Sequence, residues 1–117
     1  MSDLTVTALL EKIQQQPEKV AFSDVIATID ACYHYQPTAF SNGDVISNAG
    51  ENVGSCKIFA FAQLQQLSEA QTLACFGHYY RDDVLAHPEG LDHANIRQFM
   101  LSGWSQLRFS GAALTAL

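Results

Sequence analysis

Apolar residues recur at helical spacing over Val6, Leu9, Leu10 and Ile13. That stripe predicts a first amphipathic helix, capped by Asp3, running to about Gln16 and stopped by Pro17. Phe22, Val25, Ile26, Ile29 and Cys32 or Tyr33 make a second and cleaner stripe. Ser23 is its expected cap, Asp24 suits its positive end, and Pro37 closes it. The pattern then changes. Asn42-Gly43 lies between the short apolar flanks Ala39-Phe40 and Val45-Ile46, a strong signal for a small hairpin. A polar, glycine-bearing loop, residues 48–54, follows it. Ser55 is the expected cap of a helix over Cys56–Gln66. Its core Ile58-Phe59-Ala60-Phe61-Ala62 is apolar on nearly every side, which predicts a buried central helix.

The second half reads as shorter elements. Ser68 and Gln71 have capping-box spacing, opening a helix that ends at Gly77. Tyr79–Ala86 predicts one more short helix, with Tyr80 and Val84 stacked one turn apart. His87-Pro88-Glu89-Gly90 reads as a turn. Asp92 is the expected cap of a last helix over His93–Ser102, with Ile96, Phe99 and Met100 inward and Gly103 ending it. Leu107 and Phe109 flank Arg108 in strand-like alternation and extend the hairpin to three strands. The expected fold is α+β: a mostly helical single domain over residues 1–110. Five or six helices surround the central one beside a small antiparallel hairpin. Residues 111–117, without a clear period, are expected to form a loose tail.

Composition narrows the function classes. With 12 acidic against 6 basic residues the net charge is −6, and Lys12, Lys19, Lys57, Arg81, Arg97 and Arg108 are scattered. Neither nucleic acid nor an anionic membrane is an expected partner. No segment approaches the roughly 18–20 apolar residues of a membrane span. Three cysteines without paired spacing are not a disulfide framework and fit a reducing compartment. Nothing near the start reads as a signal peptide.

Five groups carry candidate chemistry. The loop over Gly50–Lys57 feeds a helix start, where free backbone N–H groups can hold an anion. Glu51, Asn52, Ser55 and Lys57 are its candidate ligand residues. The order Gly54-Ser55-Cys56-Lys57 is not that of a Walker motif, and Glu51 would repel an anion. The plain structural reading is a sharp turn into the buried helix. Cys56, next to Lys57 in a first turn, is a candidate nucleophile if His93 or His34 serves as its base; otherwise it is an inert core thiol. Asp92, His93, Asn95 and Arg97 gather a carboxylate, an imidazole, an amide and a guanidinium at one helix start. They form either a recognition site or a well-capped helix. Tyr79-Tyr80-Arg81-Asp82 offers Arg81 within an aromatic patch, or Tyr80 simply packs inward. The histidines, spaced 44, 9 and 6 positions apart, lack metal-ligand spacing. Neither a metal nor a cofactor is expected.

Several blocks, taken in order, resemble the HopJ family of type III effector proteins. They are residues 40–43 (Phe-Ser-Asn-Gly), 50–57 (Gly-Glu-Asn-Val-Gly-Ser-Cys-Lys) running into 58–62, 73–77, 80–82, 92–97 and Gly103-Trp104. The resemblance spans nearly the whole chain. It implies a bacterial protein, made in the cytoplasm and injected into a host cell by a type III secretion apparatus, and it supplies no reaction and no catalytic residues. Three functions therefore stand side by side. The first is a non-enzymatic module that binds a protein or small-molecule partner. The second is a housekeeping protein that binds a small anion at Gly50–Lys57. The third is a thiol enzyme using Cys56. A cleft shared by the Gly50–Lys57 loop and the Asp92–Arg97 helix start would separate them.

Overall fold

The core is built on one helix. α3, Val53–Leu64, buries Cys56, Ile58, Phe59, Ala60, Phe61 and Ala62. A helix apolar all round is stable only when enclosed, and the other elements enclose it. Phe59 is the centre of a ring cluster. Its centroid lies 5.0 Å from Phe99, 5.4 Å from Phe76 and 6.2 Å from Phe40. Such pairs add about 0.5–1.5 kcal/mol each beyond area burial. The computed structural model describes residues 5–117, and its mostly helical α+β architecture is the one the pattern predicts.

α1, Val6–Gln15, turns Leu9 and Ile13 inward. Its cap is Thr5, whose hydroxyl accepts the Ala8 N–H at 3.1 Å; the expected cap Asp3 lies outside the described residues. α2, Phe22–Cys32, starts after Ala21 with no side-chain cap. Ser23 is therefore inside the helix, not its cap. The helix also ends well before Pro37, because Tyr33–Tyr35 is strand β1.

β2, Phe40–Asn42, and β3, Val45–Ser47, form the predicted hairpin, and β4, Leu107–Phe109, adds the third strand in the order β3-β2-β4. The turn is one residue further on than the Asn-Gly signal places it. Asn42 pairs with Val45, so Gly43-Asp44 is the two-residue loop, and only Gly43 has positive φ (+56°). Asn42 is a fully buried strand residue. The chain end is not loose. β5, Leu114–Ala116, pairs antiparallel with β1, and Ala113 and Leu114 are buried.

α4, Glu69–Ala74, carries the complete Ser68/Gln71 capping box. Tyr79–Val84 is a π-helix, with the Leu85 N–H donating to the Tyr80 carbonyl at 3.0 Å. α5, Ala94–Ser102, buries Ile96 and Phe99 and stops at Gly103. Met100, expected inward, is 44% exposed, and the chain face beside it carries Leu101. Among the described residues no helix is long and apolar enough to cross a membrane.

A cleft between two helix starts

The loop into α3 is held by its own side chains. Gly50 takes φ +87°. The Glu51 N–H donates to the Asn48 carbonyl, and the Asn48 N–H donates to the Glu51 carboxylate at 2.8 Å. Glu51 is thereby occupied as a turn acceptor. Asn52 caps the helix start in the left-handed conformation, φ 50°, and its Nδ2 donates to Ser47 Oγ at 2.8 Å. Ser55, the expected cap, sits in the first turn instead. The first helical bond is Cys56 N–H to the Asn52 carbonyl. The N–H groups of Val53, Gly54 and Ser55 precede it and meet no acceptor among the described residues.

α5 begins in the same way. His93, not Asp92, is its cap, again left-handed, with φ 53°. The first helical bond is Arg97 N–H to the His93 carbonyl, so the N–H groups of Ala94, Asn95 and Ile96 are also without an acceptor among the described residues. A left-handed residue followed by helical ones turns successive N–H groups toward one concavity.

Both starts open onto one cleft of about 450 Å³. Asn52, Gly54 and Ser55 line it from α3, and His93, Ala94 and Asn95 from α5. Phe22, Phe76 and Tyr79 supply an aromatic wall, with Val45 and Ile96 beside it. The wall depends on two glycines. A Cβ at Gly54 would come within 2.9 Å of the Phe22 ring, and one at Gly77 within 2.7 Å of the Phe22 backbone nitrogen. Tyr79 is fixed between the rings of Phe22 (5.0 Å), His93 (5.2 Å) and His78 (4.2 Å).

Asn95 is the deepest polar group of the cleft, at 5% exposure. Its carbonyl and its Oδ1 accept from Asn42 Nδ2, at 2.9 and 3.1 Å. Its own Nδ2 meets no acceptor among the described residues. His93 Nε2 faces Asp83 at 3.1 Å and Asp92 at 3.8 Å.

The remaining candidates are elsewhere, for geometric reasons. Lys57 is two positions from Ser55 and so points to the far side of α3. There it pairs with Asp30 at 2.7 Å and lies over the Tyr35 ring at 5.1 Å. Cys56 is buried, with its thiol 3.7 Å from the Thr38 carbonyl. Burial pushes that thiol up from its ordinary pKa, against Tyr35 and Lys57, which pull it down. Cys56 does not line the cleft that His93 lines. Arg97 holds the 87–92 loop, donating to the His87 carbonyl at 2.8 Å and pairing with Asp92 at 2.7 Å. Its hydrogen bond holds the Asp92 carboxyl below the usual range. Asp92 and Asn95 do not pair with each other: Asp92 faces Arg97 and Asn95 faces Asn42. Arg81 clamps the Pro17 and Val20 carbonyls at 3.1 and 2.7 Å. Of the tyrosine patch, Tyr79 alone reaches the cleft.

Residue reading therefore finds Asn52, Ser55, His93 and Asn95, which the fold brings together. It misses Phe22, Phe76 and Ala94, whose residue types carry no chemical signal; only their contacts reveal them. Among the described residues no group of three or more His, Cys, Asp or Glu side chains is placed to hold a metal ion.

The model of the HopJ type III effector protein family matches residues 6–114. The chain belongs to the HopJ family. It is also similar to a solved crystal structure of a protein of unknown function, VPA0580. The identity is 48% and the TM-score 0.95, covering 96% of this chain and 93% of that one. No curated protein matches it. The blocks that carry the HopJ resemblance include both helix starts of the cleft, residues 50–57 and 92–97.

Proposed function

We propose that this HopJ-family protein is a non-enzymatic binding module that holds a small anionic ligand in the cleft between α3 and α5. One observation carries the reading: two helix N-termini, each led by a left-handed residue, open onto the same concavity. Their unbonded N–H groups and positive dipole ends favour negative charge. The Ser55 hydroxyl and the Asn95 amide are polar groups of the kind that orient a ligand. The nearby carboxylates are already engaged: Glu51 with the Asn48 N–H, Asp83 with His93, and Asp92 with Arg97.

The test is a thermal shift with inorganic phosphate. With a Kd of about 1 mM, about 10 mM phosphate stabilises by ~1.4 kcal/mol, a rise of roughly 5 °C for a chain of this size. Ala94→Glu is the control. It puts a carboxylate in the first turn of α5, which favours the helix but repels the anion, so the rise should vanish without loss of basal stability. The reading ends if wild type shows no rise, or if the variant shows the same one.

The family description favours a second, compatible reading: export through a type III apparatus before the ligand is met. The full chain fused to a reporter should leave cells that carry the apparatus and stay in cells that lack it. Retention in both removes this reading and leaves the cleft untouched.

A further inference from the structure

Resting on the anion reading of the cleft, we infer that its ligand is a small aromatic anion, a flat ring bearing a phosphate or carboxylate. The cleft's volume of about 450 Å³ falls in the range of sites that enclose whole small molecules, larger than a bare anion needs. Its composition is divided. The donors come from the first turns of α3 and α5. The other wall is made of the rings of Phe22, Tyr79 and His93, with Tyr79 5.0 Å from Phe22 and 5.2 Å from His93. Gly54 joins the two halves, since its missing Cβ lets the Phe22 ring reach the turn that carries the free N–H groups. A ligand whose anion meets the N–H groups thus has the ring wall beside it.

A second feature points to the same occupant. Asn95 is 95% buried by its 5% exposure and lines the cleft. Asn42 fixes its Oδ1 at 3.1 Å and so fixes the amide plane, leaving Nδ2 as a donor without an acceptor among the described residues. That Nδ2 is not sealed from solvent, and a ligand oxygen in the cleft would take the place of water on a donor whose plane is already set. The wall is also pre-organised. Tyr79 is held on one side by His78 at 4.2 Å and on others by Phe22 and His93, so little side-chain freedom remains to be lost on binding.

The experiment compares inorganic phosphate, phenyl phosphate and cyclohexyl phosphate by isothermal titration calorimetry on the full chain. Phenyl phosphate should bind about tenfold tighter than inorganic phosphate, through one or two ring contacts. Cyclohexyl phosphate, of similar bulk but with no π face, should fall between. Tyr79→Leu keeps apolar volume in the wall, so it should weaken phenyl phosphate far more than inorganic phosphate and lose most of the phenyl preference. Gly54→Ala, which crowds Phe22, is the second variant and should weaken phenyl phosphate more than inorganic phosphate. Equal affinity for phenyl and inorganic phosphate overturns the inference while sparing the anion reading. Equal affinity for phenyl and cyclohexyl phosphate overturns the aromatic claim as well. Binding of none of the three ends the anion reading, and this inference with it.

Discussion

Replacing Asn42 should loosen the cleft from behind. Asn42 is fully buried on β2, and its Nδ2 donates to both the carbonyl and the Oδ1 of Asn95. It ties the hairpin to the first turn of α5. In Asn42→Ala both bonds are lost, at about 1 kcal/mol each, and the Asn95 Oδ1 is left without its donor, at about 1–3 kcal/mol. One term opposes these. The Asn42 Oδ1 is itself buried without a partner, so its removal returns part of that cost. The net expectation is a loss of ~2–3 kcal/mol, or roughly 10 °C in Tm.

Asn42→Asp separates hydrogen bonding from packing, because its volume hardly changes. An ionised carboxylate there would face two acceptors in a buried site, so its folded pKa is raised above the unfolded value of about 3.9. A group raised on folding keeps its stability contribution below the unfolded pKa and loses it as pH rises through the folded one. The protonated acid can still donate one bond. The stability gap from wild type should therefore be small near about pH 4 and widen by ~1.4 kcal/mol per pH unit above it, until the folded pKa is passed. Urea unfolding at several pH values, read at constant m-value, measures both effects. An Asn42→Ala loss under about 0.5 kcal/mol, or a gap for Asn42→Asp that is flat with pH, would refute the assignment of Asn42 as the donor that fixes α5.

The thiols make two further checks. Cys56 is 1% exposed with a raised pKa, and Cys75 is fully buried, so a thiol probe at neutral pH should reach the partly exposed Cys32 first. Rapid labelling of Cys56 would contradict its placement and revive thiol chemistry. Burial also pushes Cys75 from 9.0 up to about 12. The unfolded thiol ionises near pH 9 and the folded one does not, so the folded state binds more protons. Stability should then fall as pH rises from about 9 toward about 12, by up to ~4 kcal/mol in the limit. Urea midpoints from pH 8 to pH 10.5 should show a shallower decline in Cys75→Ala than in wild type, and equal slopes would exclude this origin.

Much of the architecture is legible because burial and period agree. The apolar run Ile58-Phe59-Ala60-Phe61-Ala62 has one stable environment, the centre, and α3 occupies it. Ser68 and Gln71 close their capping box through local bonds alone, so residue type suffices to find it. The β1–β5 pair is illegible for the opposite reason. Three-residue strands at Tyr33–Tyr35 and Leu114–Ala116 are too short to show a period of two, and their pairing joins distant parts of the chain. The hairpin lies between these cases. Asn-Gly marks the turn, yet the need for a buried amide against Asn95 draws Asn42 into the strand and shifts the loop by one residue.

The helix starts divide along the same line, and the division bears on function. Thr5 and Ser68 cap α1 and α4 as local rules require. At α3 and α5 the rule selects Ser55 and Asp92, and the fold uses Asn52 and His93 in left-handed conformations. Left-handed backbone at non-glycine residues costs free energy that surrounding structure must offset. Among the described residues there are three such positions, and the third, Gln66, follows the end of α3. The other two lead the helices whose N–H groups face the cleft. A side-chain cap of the ordinary kind would have satisfied those donors internally and closed the concavity to a ligand. Departure from the local rule at these two helix starts is what leaves the donors available, and departures of this kind are expected where a protein binds.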